Sequence, residues 1–213
     1  FISVASNLVA SDTNALADIF VRDLDAGTIE RVNRTPSGAQ SLGGVQLGTQ
    51  SISGDGRFVM YVSNAADLLP PGAPVTTPGA TPPNYCYQAF QFDRATSTTS
   101  IVSRGWNGEL ADRGVGSGIA TSSDGSRVLF VSSSTNLVPG FGSTSSGVFL
   151  RDGATGALQL ASQGLGGSFP NGASWALQVA LDAAGATAVF GSEASNLVIN
   201  DTNALRDVFV ARW

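Results

Sequence analysis

Histidine is absent from this 213-residue chain, cysteine occurs once, and only 13% of the residues are charged. Without histidine the chain lacks the commonest general base and the commonest zinc ligand, so Ser-His-Asp chemistry is excluded within it. Cys86 has no second cysteine to pair with, so no internal disulfide framework supports the fold. No apolar run reaches the length of a membrane-spanning helix, and no basic-then-apolar segment reads as a leader peptide. With a net charge of −5 and a pI near 4.5 there is no basic footprint for a nucleic-acid backbone or an anionic membrane surface. Neither a Gly-x-Ser-x-Gly elbow nor a glycine loop opening onto a helix appears. No sustained 3.6-residue apolar stripe leaves room for much helix.

What the chain has instead is glycine, 26 of them, and a phrase that returns four times. Ser6-Asn7-Leu8-Val9, Ala66-Asp67-Leu68-Leu69, Thr135-Asn136-Leu137-Val138 and Ser195-Asn196-Leu197-Val198 each follow a hydrophobic stretch, with the leucines 60, 69 and 60 residues apart. Self-similarity at such a period marks a repeat architecture, and one unit has the size of a four-stranded blade with long loops. The copies run over residues 1–45, 46–114, 115–173 and 174–213 of a single repeat domain, the first and last incomplete. The chain opens in what the other copies show to be mid-strand, which suggests a fragment or processed product.

Copies two and three carry the whole unit. A short first strand is expected around Gln50-Ser51-Ile52 and Gly118-Ile119-Ala120. The turns Ser53-Gly54-Asp55-Gly56-Arg57 and Ser122-Ser123-Asp124-Gly125-Ser126-Arg127 follow, in which glycine accepts a positive φ and aspartate bonds local backbone. Copy four softens this turn to Asp182-Ala183-Ala184-Gly185. The second strand is continuously apolar, as in Phe58-Val59-Met60-Tyr61-Val62 and Val128-Leu129-Phe130-Val131, which indicates burial on both faces. The third strand, such as Ile19-Phe20-Val21 or Val148-Phe149-Leu150, leads through a second turn to an alternating fourth strand. Alternation means one wet face, as an outermost strand requires. The fold class expected is therefore all-β: a propeller of four-stranded antiparallel blades, open or incomplete. Copy two adds a loop from Pro70 to Tyr87 with six prolines, expected to be stiff, extended and on the surface.

The recurring order of a Ser-x-Asp-Gly turn, an apolar strand and a Phe-Val-x-Asp strand resembles the TolB-type β-propeller repeat. The wording Ser-Asn-Leu-Val, then Asp-Thr-Asn, then Asp-Ile-Phe-Val-Arg-Asp is similar to a bacterial subfamily of exported and surface proteins. That resemblance covers nearly the whole chain and implies a periplasmic, secreted or cell-surface setting. It implies a fold more than an activity, because propellers host unrelated functions.

The candidate site is Asp12-x-Asn14-x-x-x-Asp18, repeated as Asp201-x-Asn203-x-x-x-Asp207. Oxygen ligands at alternating positions, then another carboxylate, suit a calcium ion, which takes six to eight hard oxygens. Backbone carbonyls at Leu16 and Leu205 could add ligands. The same residue types serve equally to form Asx turns and to bond loop backbone. Copies two and three lack the motif. Asn7, Asn136 and Asn196 are expected to satisfy loop backbone, and Arg22, Arg94, Arg151 and Arg212 to pair with acidic residues between blades. Trp106, Trp175 and Trp213 are expected to fill gaps between blades or contacts between chains. Glu30, Glu109, Glu193 and Asp112 could supply paired carboxylates for glycoside hydrolysis, but no spacing selects a pair.

These features point to a non-catalytic structural or interaction module with a protein partner, or self-association through its end blades. Nucleic-acid binding and membrane insertion have no basis in the composition. The alternative is the propeller domain of a larger hydrolase, peptidase or carbohydrate-active enzyme.

Overall fold

In a computed structural model, residues 1–48, 51–70, 86–142 and 145–213 are described. Within those, only the backbone is described for 176–178. The proline-rich segment expected at the surface lies almost wholly outside the described residues.

Among the described residues fourteen strands form four antiparallel sheets, one per repeat. Blade one holds β1 (Ile2–Ser3), β2 (Asp18–Arg22) and β3 (Ile29–Arg31). Blade two holds β4 (Val45–Gln46), β5 (Phe58–Ser63), β6 (Gln88–Asp93) and β7 (Thr98–Ile101). Blade three holds β8 (Val115–Thr121), β9 (Arg127–Ser132), β10 (Gly147–Asp152) and β11 (Leu158–Leu160). Blade four holds β12 (Ser174–Leu181), β13 (Thr187–Ser192) and β14 (Asp207–Arg212). Two short 3-10 turns, Ala66–Leu68 and Leu165–Gly167, are the helical segments among the described residues.

The first strand of copy two departs from expectation. Its ladder forms at Val45–Gln46 against Ser63 and Val62, and Ile52 makes a lone bridge to Val59. The first strands of blades three and four shift register too, between Val115 and Ile119 and between Ser174 and Val179. Extra residues on one strand of a pair bend it and tighten its twist, which suits the crowded inner edge of a blade. Crowding there is visible at Gly48, where a Cβ would lie 2.2 Å from the Ile119 carbonyl oxygen.

The turns behave as their sequences require. Asp55 Oδ1 accepts from Ser53 Oγ at 2.6 Å and from Arg57 N–H at 3.0 Å, and Asp124 repeats this with Ser122 and Ser126. Gly56, Gly125 and Gly185 take φ near +70° at one position of the turn. In copy four Asp182 alone accepts from both Ala186 and Thr187 N–H, so the turn survives the loss of the serine.

Register aligns a stacked aromatic pair in every blade: Phe1–Phe20, Tyr61–Phe90, Phe130–Phe149 and Phe190–Phe209. In blades two to four this pair packs on the aliphatic face of the preceding blade. Tyr61 and Phe90 meet Ile19 and Val32, while Phe130 and Phe149 meet Met60, Val62 and Ala89. Phe190 and Phe209 meet Leu129, Val131, Val148 and Leu150. The core is therefore three similar junctions between four blades. At the far side of blade four the same aliphatic positions are bare: Val208 is 73% and Val210 59% exposed, where Val148 is 0% and Leu150 3%.

Candidate functional site

The two Asp/Asn loops join the second strand to the third in the end blades. Their backbones match. Ser11 and Ala15 in copy one, and Asn200 and Ala204 in copy four, all take φ between +54° and +61°. An L residue there carries strain, held in each copy by an Asx turn: Asn14 Oδ1 accepts from Leu16 N–H and Asn203 Oδ1 from Leu205 N–H.

In copy one the two carboxylates converge on a cation of the chain itself. Arg31 Nη1, from β3, lies 3.1 Å from Asp18 Oδ2 and 3.7 Å from Asp12 Oδ1; the Asp12 and Asp18 side chains are 3% and 1% exposed, and that of Arg31 is 10% exposed. Asn33 completes the arrangement: its Nδ2 donates to Asp18 Oδ1 at 2.6 Å, and its Oδ1 accepts from Ile19 N–H at 2.8 Å. Gln40 Oε1 accepts from Arg31, and Asn14 turns away to donate to the Ser41 carbonyl. Arg31 thus stands between the carboxylates expected to ligate calcium. Asn14 makes the Asx turn that the sequence left open as the alternative, whereas Asp18 bonds the side chains of Arg31 and Asn33 and not backbone N–H groups. Burying a carboxylate without such a counter-charge and hydrogen bonds is costly.

In copy four the loop stands without those partners. Asn203 Nδ2 donates to Asp207 Oδ2 at 3.1 Å, and Asp201 and Asp207 are half-buried beside a cavity of about 350 Å³ bounded by Val198, Ile199 and Phe209. The nearby Arg206 is engaged elsewhere, over the Trp175 ring at 4.2 Å and 3.8 Å from Glu193. Among the described residues no cluster of three or more His, Cys, Asp or Glu side chains is placed to hold a metal ion.

Arg31 and Asn33 were not singled out from sequence, yet a signal for them exists. Register places Ile101 and Leu160 at Arg31's position, and Gln88 and Gly147 at Asp18's. The copies without the aspartate lack the arginine too. Serines recur unnoticed as well: Ser3, Ser63, Ser132 and Ser192 each accept from the N–H two residues on.

The other expectations divide. Asn136 and Asn196 tie the loop before the first strand to the loop after the second, accepting from Asp112 and Asn171 N–H. Asn7 is exposed and has no such partner. Arg94 pairs with Glu30 across blades one and two, as expected. Arg151 instead donates to the carbonyls of Val102, Arg104 and Gly156; burial, then the nearby Arg104 charge, push its guanidinium below the ordinary arginine value. Among the described residues Arg22 and Arg212 make no ion pair, and register separates the set: Arg22 and Arg151 align with Phe92 and Ala211. The tryptophans do not fill gaps; Trp106 is 64% exposed and Trp175 and Trp213 about two-fifths exposed. Glu30 and Glu193 are held by arginines, and Asp112 by the Thr135 amide and hydroxyl.

The chain matches no protein-family model and no curated protein. Solved structures do resemble it. The tricorn protease superposes with a TM-score of 0.52 at 10% identity, over 94% of this chain and 16% of that one. A putative TolB from Agrobacterium tumefaciens gives 0.48 at 13% identity, over 93% and 53%. An oligogalacturonate lyase in complex with manganese gives 0.44 at 10%, over 82% and 35%. The fold is that of a β-propeller. At such identities the likeness is one of architecture. Among the described residues no helix is long and apolar enough to cross a membrane.

Proposed function

We propose that this chain is a non-catalytic propeller module of an exported or cell-surface bacterial protein, and that it works by protein contact through its end blades. The observation that carries this is the bare aliphatic face of blade four. Val208 and Val210 occupy the positions that blade three buries against the next aromatic pair. Blade one presents such a pair, Phe1 stacked on Phe20 at 5.7 Å, with Phe1 54% exposed. The complementary occupant is therefore a second copy, meeting head to tail. A head-to-tail contact that does not close into a ring propagates as a filament. Each fully buried valine contributes on the order of 1.5–3 kcal/mol, enough for a concentration-dependent equilibrium.

Light scattering over a concentration series tests this. The wild-type chain is expected to gain mass with concentration, and Val208→Ser with Val210→Ser to remain monomeric. A wild-type monomer at every concentration would overturn self-association. The non-catalytic role draws on the missing histidine and on carboxylates already committed to local partners. Hydrolysis or elimination on a peptide or oligosaccharide by the isolated chain would favour the domain of a larger hydrolase, peptidase or lyase instead. The subfamily resemblance supports export, and the copy-four loop with Asp201, Asn203 and Asp207 is where a weak calcium ion would sit.

A further inference from the structure

The junctions between blades differ in charge at one place, beside the fourth strands. Between blades one and two, Glu30 of β3 sits between two arginines. Arg94 Nε of blade two donates to its Oε1, and Arg34 Nη2 of blade one lies 3.5 Å from its Oε2. Arg34 also lies over the Phe92 ring, 5.0 Å from the centroid.

Register carries these positions to the next junction. Glu30 stands opposite Val21 and Ser100 opposite Gln91, so Ser100 takes Glu30's place. Gln91 donates to the Gly125 carbonyl at 2.8 Å, so this face of blade two turns towards blade three. Arg34 and Arg104 each open the hairpin after the fourth strand, bridged to Gln40 and Leu110. Arg151 takes the place of Phe92, and Gly153 that of Arg94. Between blades two and three, then, two guanidiniums are kept and their carboxylate has become a serine. In the next junction the places of Glu30, Arg34 and Phe92 fall to Gln159, Gln163 and Ala211, and neither sign of charge is left.

Arg151 is drawn up to Arg104 by its own hydrogen bonds: Nε donates to the Val102 carbonyl at 3.0 Å and Nη2 to that of Arg104. Arg104 Nη1 donates to the Gly108 carbonyl at 2.8 Å. Both residues are half-buried, and among the described residues neither makes an ion pair. The neighbouring acids are spent or turned out: Arg57 holds Asp93 at 2.7 Å, Arg127 holds Asp152 at 3.4 Å, and Glu109 is exposed. A guanidinium has five N–H donors, so both keep donors to spare.

We infer that the junction between blades two and three binds a small carboxylate from solution, held between Arg104 and Arg151 where Glu30 is held one blade earlier. Charge-assisted bonds from two guanidiniums to one carboxylate are the arrangement Glu30 already displays. A half-buried pair of like charges is relieved by such a ligand, which ties blade two to blade three.

The test follows the Arg104 and Arg151 Nε–H signals of the whole chain by NMR, titrated with sodium acetate and, at equal ionic strength, with sodium chloride or phosphate. Both signals are expected to move saturably with acetate and not with chloride. Arg104→Gln is expected to weaken the response of the Arg151 signal at least tenfold. Ser100→Glu, at an exposed position, returns the missing acid: the melting temperature is expected to rise by about 2–4 °C and the acetate response to vanish. A response no larger than that to chloride, or one undiminished in Ser100→Glu, would overturn the inference. Tighter binding of phosphate than of acetate would overturn the carboxylate assignment.

Discussion

Arg31 shows how a single residue can settle the role of a motif. Asp18 is fully buried and its two oxygens are divided between Arg31 and Asn33. Removing the arginine strands a carboxylate in the interior, and breaking a buried pair from one side costs roughly 3–5 kcal/mol. Arg31→Ala is therefore expected to lower the urea midpoint by that equivalent without altering the slope, while Arg31→Ala combined with Asp18→Asn recovers part of the loss. Equal stability of Arg31→Ala and wild type would show the pair to be incidental. The arginine was legible only by aligning the fourth strands of the copies, because single-strand alternation assigns Arg31 merely to a wet face.

At the scale of elements, the tight turns carry the clearest pH signature. Arg57, through two hydrogen bonds, holds the Asp93 carboxyl down at about 2. The Ser122 hydroxyl, with help from the Ser126 amide, holds Asp124 at about 2. Asp55 and Asp182 are lowered by the same kind of turn bonding, from Ser53 and from the Thr187 amide. A folded value below the unfolded one, near 3.9, means the ionised form is favoured by folding. The stabilisation is complete above about pH 4 and is lost as pH falls towards about 2. Urea midpoints are expected to be level from pH 5 to 7 and to fall below pH 4, less steeply in Asp124→Ala. A decline that begins above pH 5 would point to other groups. These turns were readable from Ser-x-Asp-Gly, but the survival of the fourth was not: Asp182 replaces two side chains with one by reaching both amides itself.

For the whole molecule, the similarity of the junctions means that stability is close to a sum over neighbouring blades. Arg31 already supplies the positive charge in the copy-one loop, so calcium has at most the copy-four loop to stabilise. Millimolar calcium followed by EDTA is expected to move the melting temperature by less than a degree. A reversible rise of several degrees that vanishes in Asp201→Ala would instead make that loop a cation site.

Period, turn chemistry and strand alternation are local properties of the chain, and they alone determined that it is an all-β propeller of four repeats. The aromatic pair and the apolar second strand likewise follow from burial on both faces of a blade. Tertiary structure decided what local pattern leaves open. It brought Arg31 to Asp12 and Asp18 across 13 or more residues, placed the arginines after the third strands in different registers, and left the tryptophans at the surface. The physical reason is the same in each case: a carboxylate four residues after an asparagine reads alike for a metal, a turn or an ion pair. Only the neighbour that the sheet register delivers selects among them.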